Sequence, residues 1–144
     1  MGQGQYKRHL AALISADVVG YSRLMADDEI GTIRALTNCR EIIGAVVEKY
    51  SGRLVDFVGD NMLAEFSNTL GAVQCAERIH HALDKINCDF PTHRHLEFRI
   101  GIHLGDVTTD GERIYGDGVN IAARLESLAD PGGICVSDMV FRQI

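Results

Sequence analysis

Hydrophobic and polar positions along the chain follow two periods, and their order predicts the fold. A short apolar run at 9–17, closed by Asp17, is typical of a buried strand. Apolar residues at helical spacing predict helices at 29–50 and 69–87, and alternation predicts a half-buried strand at 96–105. The other predicted elements are strands at 53–58, 62–66 and 134–137, and a helix at 117–129.

The order of these elements is β-α-β-β-α-β followed by more, which is the ferredoxin-like order of a mixed α/β (α+β) domain. In that arrangement the first strand lies antiparallel beside the third. The end of the first strand therefore lies next to the hairpin that begins the third. Asp17 and Asp60 occupy those two positions. The topology thus predicts that the two carboxylates lie close together.

The bulk composition is that of an ordinary globular protein and predicts one domain over residues 1–144, with 46% hydrophobic and 24% charged residues. A net charge of −6 argues against a nucleic-acid partner. No apolar run is long enough for a membrane helix, and Met1–Arg8 lacks the apolar stretch of a signal peptide. Scattered cysteines without CxxC spacing predict reduced thiols and a cytoplasmic location; they are Cys39, Cys75, Cys88 and Cys135.

The expected carboxylate pair is a candidate metal site. Two adjacent carboxylates repel unless a cation neutralises them or one of them is protonated. A pair of Mg²⁺ or Mn²⁺ ions, with substrate phosphates as further ligands, suits Asp17 and Asp60. Each residue also has a plainer interpretation. Asp17 would cap the following short helix, and Asp60 would be an ordinary turn residue.

The turn Val18–Ser22 is a candidate phosphate-binding segment. It leads from the first strand into a short helix whose first backbone N–H groups are free, and Gly20 lets a phosphate approach the backbone closely. The alternative is an ordinary strand-to-helix turn in which Ser22 is the N-cap.

Asn120 and Arg124 lie one turn apart on the same face of a predicted helix. An amide and a guanidinium can together stabilise a phosphoryl transition state. The alternative is an exposed polar stripe in which Arg124 pairs with Glu126 or Asp117.

Arg99 alternates onto the strand face opposite Phe98 and Ile100, where it reaches either a triphosphate or solvent. A metal cluster can also be drawn from three residues that the pattern places in a loop, and this interpretation is disfavoured; they are Cys88, His93 and His95.

These segments resemble the catalytic domain of class III nucleotidyl cyclases, the adenylyl and guanylyl cyclases, in its bacterial form. The matching segments, in the family's order and spacing, are Ser15–Ser22, Gly59–Phe66, Phe98–Val107 and Tyr115–Glu126. The resemblance implies a cyclase homology domain that converts ATP or GTP into a 3′,5′-cyclic nucleotide and pyrophosphate in intracellular signalling. It also implies a head-to-tail homodimer with active sites at the interface.

The resemblance assigns roles residue by residue. Asp17, Val18 and Asp60 of one chain would hold two Mg²⁺ or Mn²⁺ ions, which activate the ribose 3′-hydroxyl and bind the triphosphate. Asn120 of the other chain would orient the ribose, and its Arg124 would stabilise charge at the α-phosphate. The positions that match phosphate contacts are Val19, Gly20, Tyr21, Ser22 and Arg99.

Two positions that choose the base depart from the family pattern. Adenylyl cyclases carry Lys where this chain has Asp56, and Asp or Thr where it has Arg113. Guanylyl cyclases carry Glu at the first position and Cys at the second. Asp56 can accept from guanine N1–H and N2–H, and Arg113 can donate to guanine O6. The alternative is that the two residues form a structural ion pair and read no base.

The family domain continues past the position of Ile144 with a helix, strands and a lysine that contacts the triphosphate, so a C-terminally truncated domain is expected. Two other functions stay open. One is a catalytically degenerate domain that binds nucleotide or only dimerises. The other is a different two-metal enzyme of this topology, although Val58–Met62 lacks the Gly-Gly-acidic-acidic-Phe turn of diguanylate cyclases.

Overall fold

The computed structural model describes residues 5–144. Residues 1–4 belong to the segment Met1–Arg8, in which no signal peptide is expected, and lie outside the described residues. The strands are β1 Lys7–Val18, β2 Gly52–Val58, β3 Asn61–Phe66, β4 Phe98–Thr109, β5 Ile114–Tyr115 and β6 Ile134–Val136. The helices are α1 Tyr21–Asp27, α2 Glu29–Lys49, α3 Thr69–Asn87, α4 Asp117–Leu128 and α5 Asp138–Gln143, with a 3₁₀ turn at Thr92–Arg94.

The strands form one six-stranded sheet in the order β2-β3-β1-β4-β5, with β6 parallel to β4. Strand β1 runs antiparallel to both β3 and β4. This is the ferredoxin-like arrangement, so the predicted fold class is confirmed. The central position of β1 explains its apolar sequence, because it is covered on both faces.

Alternate residues of β1 serve two separate cores. Ala12, Ile14 and Ala16 belong to the larger core, which α2 and α3 cover. Leu13 faces the opposite side, where it packs in a smaller cluster with Ala122 of α4. Helices α2 and α3 therefore cover one face of the sheet, and α4 covers β1 and β4 on the other face.

The predicted boundaries were wrong at the β4 end. The segment after 105, expected to be a loop, continues β4 to Thr109 and then pairs with the short strand β5. The extension forms because β1 begins at Lys7, two residues before the apolar run, and Lys7 pairs with Thr109. Backbone pairing there needs no apolar pattern, so hydrophobic periodicity did not reveal it. The terminal helix α5 was also not predicted.

Two of the apolar residues at helical spacing are half exposed: Ile33 of α2 and Leu70 of α3 are 46% and 49% accessible. Thr32 is buried in place of Ile33, and its hydroxyl donates to Leu24 O at 2.9 Å and accepts from Arg94 at 2.8 Å. Internal hydrogen bonds make burial of this polar side chain possible. Within residues 5–144, no helix has both the length and the apolar character that crossing a membrane requires.

Candidate active site

The site is built where β1 ends beside the β2–β3 turn. Ala16 pairs with Met62, so the turn that carries Asp60 reaches the end of β1. Gly59 takes a left-handed φ of 60°, which a two-residue turn needs. The backbone N–H of Val18 then donates to Asp60 Oδ2 at 3.2 Å. Strand order thus brings Asp17 and Asp60 together, as the topology predicts.

The environment of Asp60 disfavours its charge. Burial raises the pKa of Asp60, the hydrogen bond from Val18 opposes this, and repulsion by Asp17 adds to the rise. A carboxylate in this position is stabilised by any added positive charge. The pair therefore has the electrostatics expected of a cation site.

Arg99 contacts the first of these carboxylates directly. It lies opposite Asp17 in the β1–β4 register. Its Nε donates to Asp17 Oδ1 at 3.2 Å and its Nη2 to Asp17 Oδ2 at 3.0 Å. These hydrogen bonds raise the pKa of Arg99 above its usual value. Such a two-pronged pair is directional and stronger than a single contact. The side chain of Arg99 is therefore bound to Asp17 and does not extend freely into solvent.

A third carboxylate, Glu126 of α4, completes the cluster. It is 5% exposed, and its Oε2 lies 3.6 Å from Arg99 Nη2. The hydroxyl of Ser15 donates to Glu126 Oε1 at 3.3 Å. Burial, with the neighbouring Asp17, raises the pKa of Glu126 to about 7.

Sequence reasoning did not assign Glu126 to the site. It was considered only as a partner for Arg124, but it pairs with Arg99 instead. One signal could have identified it. Gly118, Ala122 and Glu126 recur every four residues and form the buried stripe of α4.

The close approach of α4 to the sheet positions Glu126. A Cβ on Gly101 of β4 would lie 2.3 Å from Glu126 N and 2.5 Å from Ala122 O. Only glycine fits there, so α4 rests directly on the strand that also carries Arg99. Glu126, Arg99 and Asp17 are therefore held by a helix and two paired strands.

The donor set suits a divalent cation. Asp17 and Asp60 are the candidate donors, and with Glu126 beside them the cluster holds three carboxyl groups against the single positive charge of Arg99. Carboxylate oxygens are the ligands that Mg²⁺ and Mn²⁺ prefer. Across residues 5–144 no three His, Cys, Asp or Glu side chains converge as a complete metal cage, and the residues near Cys88 form none. Ions at Asp17 and Asp60 would need further ligands from a substrate.

The Val18–Ser22 turn enters α1 through Gly20, which takes a left-handed φ of 67° at the N-cap position. No side chain caps α1, so neither Asp17 nor Ser22 plays the capping role considered from the sequence. The N–H of Val19 donates to Glu97 O at 2.8 Å and is not free. The unpaired N–H groups of this turn thus begin after Val19.

Asn120 and Arg124 do not join the carboxylates. Both are exposed on the side of α4 opposite the buried stripe, and Leu128, 74% exposed, continues their row. Within residues 5–144, Arg124 forms no ion pair, so the expected contact with Glu126 or Asp117 is absent. One chain therefore presents the two halves of the predicted site on different surfaces.

Asp56 and Arg113 meet each other. Arg113 Nη1 lies 3.5 Å from Asp56 Oδ2, and their side chains are 66% and 37% exposed, respectively. An ion pair this exposed contributes little to stability. Both side chains can therefore turn to a ligand at small cost.

Comparison with known proteins agrees with this fold. Residues 5–144 match the family model described as "Adenylate and Guanylate cyclase catalytic domain". A protein of Rhizobium meliloti (strain 1021) named "Putative adenylate cyclase 3" is 40% identical over the whole chain. The chain spans only 25% of that relative's length, and 30% of an adenylate cyclase from Anabaena cylindrica that is 28% identical over 92% of the chain.

Solved structures show the same architecture. An adenylate/guanylate cyclase/hydrolase from Silicibacter pomeroyi is 40% identical, with a TM-score of 0.83 over 94% of this chain and 79% of that one. The adenylyl cyclase CyaB from P. aeruginosa shares the fold at a TM-score of 0.86, covering 97% of this chain and 82% of that one. The fold and carboxylate site define a mixed α/β domain of the nucleotidyl cyclase type. The chain belongs to the adenylate and guanylate cyclase catalytic domain family.

Proposed function

We propose that this protein is a nucleotidyl cyclase that converts ATP or GTP into a 3′,5′-cyclic nucleotide and pyrophosphate, which serves intracellular signalling. The active site would lie between two copies in a head-to-tail homodimer and would use two Mg²⁺ or Mn²⁺ ions. The observation that carries the proposal is the convergence of Asp17 and Asp60 in a cluster with spare negative charge.

The placement of Asn120 and Arg124 supports a shared site. They face outward beside the apolar Leu128, away from the carboxylates of their own chain. A second copy that packs on this face would meet them with its own Asp17 and Asp60. Two-fold symmetry then creates two equivalent sites, each with residues of both chains.

In the proposed reaction, Asp17 and Asp60, with the adjoining Val18, would hold the divalent ions. When bound, such ions would supply Lewis-acid activation of the ribose 3′-hydroxyl and positive charge beside the triphosphate. The turn from Gly20 to Ser22, together with Arg99, would bind the phosphates, whereas the N–H of Val19 is already paired with Glu97 O. Asn120 of the second copy orients the ribose, and its Arg124 stabilises negative charge at the α-phosphate.

The reaction is an in-line displacement. The 3′-oxygen bonds to the α-phosphorus, the bond from that phosphorus to the bridging oxygen breaks, and pyrophosphate leaves with the electron pair. The proton of the hydroxyl passes to solvent. The protein's contribution is positioning and electrostatic stabilisation, as in phosphoryl transfer generally.

The base of the substrate is either adenine or guanine. Several relatives are named as adenylate cyclases, which favours ATP. The charges of Asp56 and Arg113 favour GTP, because a carboxylate matches the N–H edge of guanine and a guanidinium matches O6. The Arg113→Ala variant separates the two cases. If the pair reads guanine, this variant loses GTP turnover; if the pair is structural, both turnovers stay near wild type.

The direct test incubates purified protein with Mn²⁺ and either ATP or GTP and detects the cyclic product by mass. We expect one cyclic nucleotide with stoichiometric pyrophosphate, and none from Asp17→Asn. The Asp84→Asn protein, which removes an exposed carboxylate of α3, is the control and should match wild type. No product from either nucleotide would contradict the proposal.

A catalytically degenerate regulatory domain is the second candidate. It is favoured by the ion pair between Asp56 and Arg113, because the side chains at the two base-selecting positions then bind each other and not a nucleotide base. Its signature is metal-dependent nucleotide binding, measured by calorimetry, without turnover of either nucleotide.

A further inference from the structure

The guanidinium of Arg99 lies between two carboxylates. It forms two hydrogen bonds with Asp17, at 3.2 and 3.0 Å, and the same Nη2 lies 3.6 Å from Glu126 Oε2. Its Nη1 approaches Ser127 O on α4 at 3.5 Å. Arg99 thus already touches both Asp17 and α4, and a small rotation of its side chain is enough to favour either.

A cation bound at Asp17 competes with Arg99 for the same atoms. Both Asp17 oxygens accept from Arg99 in the structure. An ion that takes one or both of them displaces at least one of these hydrogen bonds and places a second positive charge beside the guanidinium. Repulsion between the two cations then drives Arg99 away from Asp17.

Glu126 is placed to accept the guanidinium of Arg99 when it leaves Asp17. It is 5% exposed, and burying an unpaired carboxylate is costly. Ser15 holds one of its oxygens, leaving Oε2 toward Arg99. Gly101 allows α4 to rest on β4, and Glu126 is buried at this contact, beside Arg99. Arg99 is the only cation that the structure places within ion-pair distance of Glu126 among residues 5–144.

We propose that Arg99 is an exchangeable counter-ion of the metal site, which moves from Asp17 to Glu126 when a divalent cation binds. Glu126 is then a positioning residue: it touches neither metal nor substrate but frees Asp17 by holding Arg99. This inference deepens the proposed function, since it rests on Asp17 being a metal ligand. The exchange also keeps Arg99 beside the site, where it can bind a phosphate.

The direct test follows the Nε–H signal of Arg99 by NMR while Mg²⁺ is added to the full chain. The signal is assigned by its loss in the Arg99→Lys protein. We expect it to shift as the bond from Nε to Asp17 is lost, together with the Val18 amide, which reports on Asp60. An unmoved Arg99 signal alongside a shifting Val18 amide would overturn the inference.

A double-mutant cycle on Mn²⁺ affinity, measured by calorimetry or spin resonance, gives the second test. Glu126→Gln removes the acceptor, so we expect Mn²⁺ to bind about tenfold more weakly, a change typical of coupled neighbours. In the Arg99→Met background the same substitution should have little effect, because no guanidinium remains to be held. Glu48→Gln, an exposed residue of α2, controls for loss of one negative charge.

The outcomes separate this inference from the proposed function. An equal loss of affinity in both backgrounds would show that Glu126 acts only through its charge, and would overturn the exchange. Cyclase activity with an unmoved Arg99 would overturn the exchange and leave the proposed function standing. Absence of any response to Mg²⁺ and Mn²⁺ would overturn both. If Glu126→Gln does not fold, the NMR titration of the wild-type protein still decides.

Discussion

At the scale of single residues, the site concentrates charge where the fold shields it from water. Asp60 accepts a backbone hydrogen bond while burial and Asp17 raise its pKa. Glu126 is buried where its own helix, α4, packs on β1 and β4. Each carboxylate would be destabilising alone, so their proximity is best explained by a function that supplies positive charge.

Replacement of Asp60 by Asn tests the role of that charge. The amide keeps the size and can still accept from Val18, so the fold should be preserved. We expect the rate of cyclic nucleotide formation with Mn²⁺ to fall on the order of a hundredfold or more, because a ligand that neutralises the transition state is lost. Circular dichroism and the melting temperature verify folding. Near-wild-type turnover of a folded Asp60→Asn protein would contradict the metal role.

The cysteines allow a prediction about reactivity. All four are free, and burial raises the pKa of Cys39 to about 11 and that of Cys75 to about 12. These thiols stay protonated and shielded near neutral pH, whereas Cys88 is exposed. A thiol reagent should therefore modify Cys88 first, and Cys39 and Cys75 only after unfolding. Mass analysis of a time course tests this order, and early labelling of Cys39 would contradict the described core.

At the scale of secondary-structure elements, Gly52 and Gly101 each allow a close contact that a side chain would block. Gly52 begins β2, where a Cβ would lie 2.3 Å from the ring of Phe66. Glycine is required at position 52 because a side chain there would collide with Phe66. The left-handed φ of 62° that ends α2 falls on the preceding residue, Ser51. Serine therefore takes the helix-ending conformation that glycine more commonly adopts.

Ser51→Gly should stabilise the protein. Glycine adopts a positive φ without the steric cost that serine bears, so we expect a gain of about 0.5–1 kcal/mol in the free energy of unfolding. Urea denaturation measures the change. Ser51→Ala, which keeps the Cβ, is the matched control and should show no gain. Destabilisation by Ser51→Gly would contradict the left-handed conformation.

Gly101→Ala should disturb the contact between α4 and β4. The added methyl would meet backbone atoms of α4, so the helix must shift, at a cost of about 1–3 kcal/mol in stability. Cyclase activity should fall further, because Glu126 moves with the helix. Gly44→Ala on α2, whose Cβ would meet only Leu54 at 3.9 Å, is the control and should be neutral or stabilising.

At the scale of the whole molecule, strand order decides which residues meet. The convergence of Asp17 and Asp60 could be predicted because it follows from topology alone. The Arg99–Glu126 contact could not, because it depends on how closely α4 packs on Gly101. The exposed position of Arg124 was one of two alternatives that the sequence left open. Helical spacing identified a polar pair but not which side of α4 faces the sheet.

The measurement that tests the central claim most directly mixes two inactive proteins, Asp17→Ala and Arg124→Ala. If each site takes its carboxylates from one copy and its arginine from the other, only one of the two sites in a mixed dimer is intact. An equal mixture with free exchange of subunits should therefore recover about a quarter of wild-type activity, whereas each protein alone should be inactive. No recovery, with mixed dimers demonstrated by native mass spectrometry, would contradict a site shared between two copies.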